Sequence, residues 1–285
     1  MKIMILTDLE GPSGVNGRSD GIGNTMPNRA TAEQALVNEV NACCEGLFAA
    51  GADEVVVTDG HGGSNSIDIF KLHPKAKLLQ VGNWMPATNL DSTFDAFVQL
   101  GAHGMQSSGG YMCHTFDSHS VRRMLFNGKP IGEIGICSLT AAYFRIPTIL
   151  VSGDETACRE AEGFLGKNVV TVPTKLGINR YSAINHPPQQ VYARLREQAE
   201  KALRNLATAP CPRLPEHCEL IVEVMCPNHA DAPEKLGIER LDETTLRYAG
   251  DDFIDIWAQR LGWAPGVHKR KYGVTPKWVH PCTKR

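Results

Sequence analysis

Apolar and polar positions alternate in two rhythms along the first half of the chain. Ile3-Met4-Ile5-Leu6 is a short apolar run closed by Thr7-Asp8-Leu9-Glu10-Gly11. Such a run, bounded by turn residues, predicts a buried strand. Residues 30–50 then place Ala32, Ala35, Leu36, Val40, Cys43 and Leu47 at near-helical spacing, with Gly51 as a stop. Glu54-Val55-Val56-Val57-Thr58 predicts a second buried strand, closed by Asp59-Gly60-His61-Gly62-Gly63. Strand, helix, strand in this order predicts a parallel sheet with right-handed crossovers. Further strands are expected over 77–81, 96–100 and 148–151, and helices over 138–144 and 154–165. Residues 124–134 read as a hairpin turning at Asn127-Gly128.

Beyond residue 180 the rhythm changes. A long amphipathic helix is expected over 187–206, strands over 219–225 and 244–248, and a last helix over 251–261. This half lacks the repeated strand-then-polar-loop pattern. The expected fold is therefore α/β, a mostly parallel sheet with helices on both faces, plus a smaller α+β unit. The expected domains are residues 1–180 for the catalytic α/β part, 181–262 for the smaller one, and 263–285 for a tail. That tail carries six Lys or Arg and no acid. A solvated arm, a subunit-contact arm or an anion-binding segment would each suit it.

Composition narrows the class of function. The formal net charge of the 285 residues is −2, which argues against a dedicated nucleic-acid binder. No apolar run is long enough to span a bilayer, and the chain enters its first strand at Lys2 without a leader pattern. The expectation is a cytoplasmic protein with neither nucleic acid nor membrane as a partner. Its nine cysteines include no CxxC pair, so neither a zinc ribbon nor a thioredoxin-type site is indicated. Cys211, Cys218 and Cys226, near His217 and His229, have the wrong spacing for a zinc knuckle, and most of the nine cysteines read as small buried hydrophobes.

Chemistry concentrates at the strand ends. Ligands of α/β sheets collect just beyond the carboxyl ends of strands. Asp8 and Glu10, two residues apart in an extended segment, would point to one side there. Paired carboxylates repel unless a cation lies between them. A solvated turn with two surface acids is the alternative. His61 and His103 each follow a predicted strand and are flanked by glycines, which permit close backbone approach. Carboxylate plus imidazole suits Zn²⁺, and also Mn²⁺ or Co²⁺. A bridging carboxylate with one histidine on each side would make a two-metal site, its ions about 3.5–4 Å apart. Glu133, in Gly132-Glu133-Ile134-Gly135, is the candidate for the remaining carboxylate.

Four motifs in order make a specific match. Thr7-Asp8-Leu9-Glu10-Gly11, Asp59-Gly60-His61, Leu100-Gly101-Ala102-His103 with His114 beyond it, and Pro130-Ile131-Gly132-Glu133-Ile134-Gly135 resemble the D-aminopeptidase (DppA-type) family of di-zinc metallopeptidases. The register agrees over residues 1–155, where the Gly153-Asp154 turn also fits, and is lost after residue 160. The resemblance implies that Asp8 bridges two zinc ions, with Glu10 and His61 on one and His103 and Glu133 on the other. It implies His114 as the catalytic histidine. It also implies removal of an N-terminal D-amino acid from short peptides by a metal-bridging hydroxide, an α/β domain with a smaller one, and a ring-like homo-oligomer. Two other readings stay open: a binuclear amidohydrolase acting on a cyclic or non-peptide amide, and a non-catalytic family member. His119 is an extra imidazole near His114, and Arg122 and Arg123 are either a carboxylate fork or a solvated hairpin edge. His73 reads as a loop residue.

Overall fold

The computed structural model describes residues 1–17, 28–62, 65–80 and 90–262. The tail 263–285, much of the 11–27 loop and the end of the strand expected over 77–81 lie outside the described residues. The first half supplies β1 (Lys2–Thr7), α1 (Arg29–Ala49), β2 (Glu54–Asp59), β3 (Ala76–Leu79) and β4 (Ala96–Ala102). Then follow β5 (Val121–Phe126), β6 (Lys129–Pro130), α2 (Glu133–Tyr143), β7 (Thr148–Asp154), α3 (Glu155–Leu165) and β8 (Val170–Asn179). The remainder is β9 (Ser182–Asn185), α4 (Pro188–Arg204), β10 (Cys218–Val224), α5 (Asn228–Lys235), β11 (Glu239–Asp242), β12 (Thr245–Gly250) and α6 (Phe253–Arg260).

Seven strands form the large sheet in the order β3-β2-β1-β4-β7-β8-β9. All neighbours are parallel except β8 and β9, which pair antiparallel at the edge. Side-chain alternation along the strands sorts the two faces. Ile3, Ile5, Val55, Val57 and Val98 pack with the buried stripes of α1 and α4. Met4, Leu6 and Phe97 pack with Cys137 and Ala141 of α2, and Val151 packs with Ala157 and Ala161 of α3. The expected helices on both faces are present. Successive strands leave β1 in opposite directions, β2 to one side and β4 to the other, so a switch point lies between β1 and β4. A crevice for ligands is expected at such a point, outside the carboxyl ends.

A second, antiparallel sheet has the order β11-β12-β10-β5-β6. Its core joins Met124, Leu220, Val222 and Tyr248 to Trp257 of α6 and to Ile136 and Leu139 of α2. Helix α2 is therefore apolar on two sides and is sandwiched between the sheets, which is why nine of its residues are buried. The boundary expected near residue 180 falls inside the large sheet, between β8 and β9. The small sheet takes β5 and β6 from the amino-terminal half, and α4 packs back on α1. We propose a division by sheet rather than by position in the chain.

Two local expectations need correction. The turn at Asn127-Gly128 has positive φ at both residues (45° and 77°), as a tight hairpin requires, but the hairpin ends at Pro130. Helix α2 begins at Glu133, five residues before the expected start at 138. Gly132, in extended backbone, caps it, so Glu133 occupies the first helical turn instead of a strand. Strands β8, β9 and β11 and helix α5 were not expected. Pro173, Lys175 and Gly177 interrupt the apolar pattern of β8.

The crevice is stitched by backbone contacts that exclude side chains. The Asp8 amide donates to the Leu100 carbonyl at 2.8 Å, and the Gly11 amide donates to that of Gly101 at 2.8 Å. Gly101 has φ +74°, and a Cβ there would lie 2.1 Å from the Asp8 carbonyl oxygen. Gly101→Ala should therefore cost about 3 kcal/mol of stability, since backbone cannot give way. Gly128→Ala shares the positive φ but meets nothing within 4 Å, and should cost only about 1 kcal/mol. Urea unfolding of both variants checks this, and equal costs would contradict the packing account.

Candidate metal centre

Three adjacent strand ends and one helix start deliver the candidate ligands. Asp8 and Glu10 follow β1, His61 follows β2, His103 follows β4, and Glu133 opens α2. Asp8 stands at the middle. Its Oδ1 lies 3.0 Å from His61 Nδ1, and its Oδ2 lies 3.2 Å from His103 Nε2. Glu10 Oε2 is 3.0 Å from the same His61 nitrogen, and Glu133 Oε1 is 3.3 Å from His103 Nε2. The five residues singled out in the sequence are thus brought together around Asp8. Among the described residues, two groups gather three donor atoms within 4.8 Å: Asp8, Glu10 and His103, and His103, His114 and Glu133.

His103 tests whether a metal fits. Its Nδ1 lies 3.0 Å from the Gly104 carbonyl, a partner that accepts a hydrogen bond when Nδ1 is protonated. In the neutral ring this leaves Nε2 with its lone pair toward Asp8 and Glu133. That is the orientation by which metal-binding histidines are held. The Nε2 atom is buried and makes no aligned hydrogen bond despite the two nearby carboxylates. A cation would satisfy all three groups. Asp8, His103 and Glu133 also line a cavity of about 30 Å³ floored by Leu6, Ile134 and Cys137, room enough for an ion or a water.

The electrostatics agree. Burial alone would favour neutral imidazoles, but Glu10 and Asp8 hold His61 well above its usual range, as Glu133 and Asp8 do His103. Burial would likewise raise the Asp8 carboxyl, but His103 and His61 hold it well below. Without metal, the histidines act as the cations of the cluster.

His114 is on the rim. Its ring stacks on His103 with centroids 3.9 Å apart, and its Nε2 lies 4.0 Å from Glu133 Oε1. Its Nδ1 lies 2.8 Å from the Met112 carbonyl, which leaves Nε2 facing the cluster. The Phe116 amide donates to Glu133 Oε1 at 2.6 Å and fixes that carboxylate. Asp154 caps α3 through the Ala157 amide and also accepts from the Tyr111 amide at 3.1 Å, anchoring the loop that carries His114. Glu160 accepts from the Met105 amide at 2.7 Å, two residues beyond His103, and burial pushes its carboxyl up to about 7.

Other residues singled out in the sequence stay apart. His119 is exposed, and its amide bonds Asp117. Arg122 and Arg123 are exposed on β5, where Arg123 pairs with Glu223, so they form a solvated edge. His73 stacks on Phe48 at 5.1 Å. Cys218 is buried in β10 and Cys211 is exposed, while Cys226 lies 3.5 Å from His229 Nδ1. These residues gather no group of three donors among the described residues.

Two buried charges went unnoticed in the sequence. Lys175 of β8 and Glu39 of α1 are both 0% exposed. Burial pushes Glu39 up to about 8 and Lys175 down to about 8, each opposed by the other's charge. The signal for Glu39 was available, since it lies three residues from Leu36 on the apolar stripe of its helix.

A family model described as D-aminopeptidase matches residues 1–260. D-aminopeptidase of Bacillus subtilis is 29% identical over 265 residues, spanning 92% of this chain and 96% of that protein. A solved structure described as the Zn-dependent D-aminopeptidase DppA from Bacillus subtilis, a self-compartmentalizing protease, superposes with a TM-score of 0.86 at 29% identity. That alignment covers 92% of this chain and 96% of the other. With the ligand-bearing strand ends, the large sheet and the small sheet all inside the matched span, the chain belongs to the D-aminopeptidase family.

Proposed function

We propose that the site holds two zinc ions bridged by Asp8, one with Glu10 and His61 and one with His103 and Glu133, and that it removes N-terminal D-residues from short peptides. The observation that carries this reading is the buried Nε2 of His103, set 3.2 Å from one carboxylate and 3.3 Å from another. Zinc supplies a water activated near neutral pH and a Lewis acid for the scissile carbonyl. The donor set also accepts Mn²⁺ or Co²⁺. Asp8 offers one oxygen to each half and so fixes their spacing. His114 faces the cluster through Nε2, suited to carry a proton to the leaving amine or to donate to the developing oxyanion.

Family membership supports the D-aminopeptidase activity, and the self-compartmentalizing character of the Bacillus subtilis structure supports a homo-oligomer, ring-shaped, with its sites facing an inner space. No helix among the described residues is long and apolar enough to cross a membrane. Free thiols such as Cys43 and Cys44 suit a reducing compartment, in keeping with a cytoplasmic protein.

One observation favours a second reading of His114. It belongs to a three-donor group with His103 and Glu133, as a ligand would.

Elemental analysis of the purified protein should find about two zinc ions per chain. His61→Ala and His103→Ala should each lose about one, and Asp8→Ala should lose both together with peptidase activity. Two ions retained in Asp8→Ala would overturn the bridged site. His114→Gln should keep both ions while kcat falls about 100-fold or more. Loss of one ion instead would make His114 a ligand.

Metal loading must also expel protons. His61 and His103 have raised pKa values in the metal-free protein, so each gives up a proton on binding zinc. Falling pH should therefore weaken zinc binding, most steeply below the raised values. Calorimetry in buffers of different ionisation enthalpy should register at least about two protons released near neutral pH, those of the imidazoles and any from the activated water. No release would show that the imidazoles are not the groups zinc displaces.

A further inference from the structure

Burying an ammonium is costly unless its donors are met. Lys175 is fully buried, and its Nζ donates to the carbonyl of Glu10 at 2.9 Å and to that of Val15 at 3.1 Å. It also lies 4.8 Å from the centre of the Tyr111 ring. Both carbonyls belong to the segment leaving β1, which presents the Glu10 carboxylate to His61. The same segment is gripped along its length. Thr174 Oγ1 donates to the Gly11 carbonyl, the Ser13 amide donates to Glu39 at 2.7 Å, and Gly14 donates to Asn185 Oδ1 at 2.9 Å.

All but Glu39 of these partners come from β8 and β9, beyond the stretch that contains every candidate ligand. After Thr7 the segment leaves the ladder of β1, keeping on the strand side the Asp8 and Gly11 amides on the Leu100 and Gly101 carbonyls of β4. An apolar side chain at 175 could fill the volume, but it would leave two carbonyls without donors.

We propose that Lys175 is a positioning residue for Glu10. It fixes the backbone of residues 10–15 so that the Glu10 carboxylate stays opposite His61. The inference rests on the two-zinc reading. It adds that the two metal positions depend unequally on β8. The position shared by Glu10 and His61 needs Lys175, whereas the position of His103 and Glu133 is held by the Phe116 and Met105 contacts and does not.

The test uses full-length protein carrying Lys175→Met, with Glu10→Gln as comparator, dialysed against zinc and then against metal-free buffer. Zinc per chain, melting temperature with and without chelator, and kcat and KM on a D-alanyl anilide are read. Lys175→Met should retain about one zinc ion, as Glu10→Gln does, with kcat lowered roughly 10- to 100-fold. The double variant should lose no further zinc. Lys175→Gln keeps an NH2 donor group on a shorter, uncharged side chain and should fall between wild type and Lys175→Met, which keeps the test open if the methionine variant does not fold.

Two zinc ions bound as tightly as in wild type, with only a lower melting temperature, would overturn the proposal and leave Lys175 a packing residue. Equal loss of both ions would also overturn it, because the dependence would not be selective. A wild-type protein without zinc would overturn the two-zinc reading itself, which is a separate result.

Discussion

Three carboxylates, Asp8, Glu10 and Glu133, cannot share a crevice at the end of a sheet unless positive charge lies among them. Their mutual repulsion is the constraint on which the rest of this structure depends. The imidazoles of His61 and His103 occupy the places where that charge is needed, and their raised pKa values show how strongly the acids demand it. The protein in turn must hold the acids together against their repulsion. It does so with backbone, through the Asp8 and Gly11 amides on the end of β4, where Gly101 leaves no room for a side chain.

Much of this was legible in the chain. The strands that lead to Asp8, His61 and His103 announced themselves as apolar runs closed by glycine with an acid or a histidine, because buried parallel strands have no polar face to blur the pattern. The match to a known family then tied Glu133 to the same place. What the sequence obscured has physical reasons. Glu133 was assigned to a hairpin because Pro130 to Gly135 reads as turn and strand, whereas the two apolar sides of α2 erase the one-sided helical period that would have revealed its start.

Strand β8 was hidden for a related reason. Its interior holds Lys175, a charge that sequence patterns assign to the surface, and its partner β9 is an edge with one mostly exposed side. Glu39 sits on the stripe of α1 that packs inward, where an acid looks like an error in the helical pattern. Both irregularities lie under the loop beyond β1. Departures from the binary pattern were therefore the marks of the site's foundations, as local rule-breaking tends to be.

The small sheet has a consequence for how this protein can be divided. Its strands β5 and β6 are encoded between His114 and Glu133, while its other three strands follow 80 residues or more downstream of Glu133. Cutting the chain after α4 would keep all five candidate ligands yet strip β5 of its partner β10 and α2 of half its packing. The helix that opens with Glu133 would then face water with Ile136 and Leu139. A fragment ending at α4 would therefore not carry the site as an autonomous unit, and an exchange of the portion beyond α4 between relatives would have to respect a strand written in the middle of the candidate ligand set.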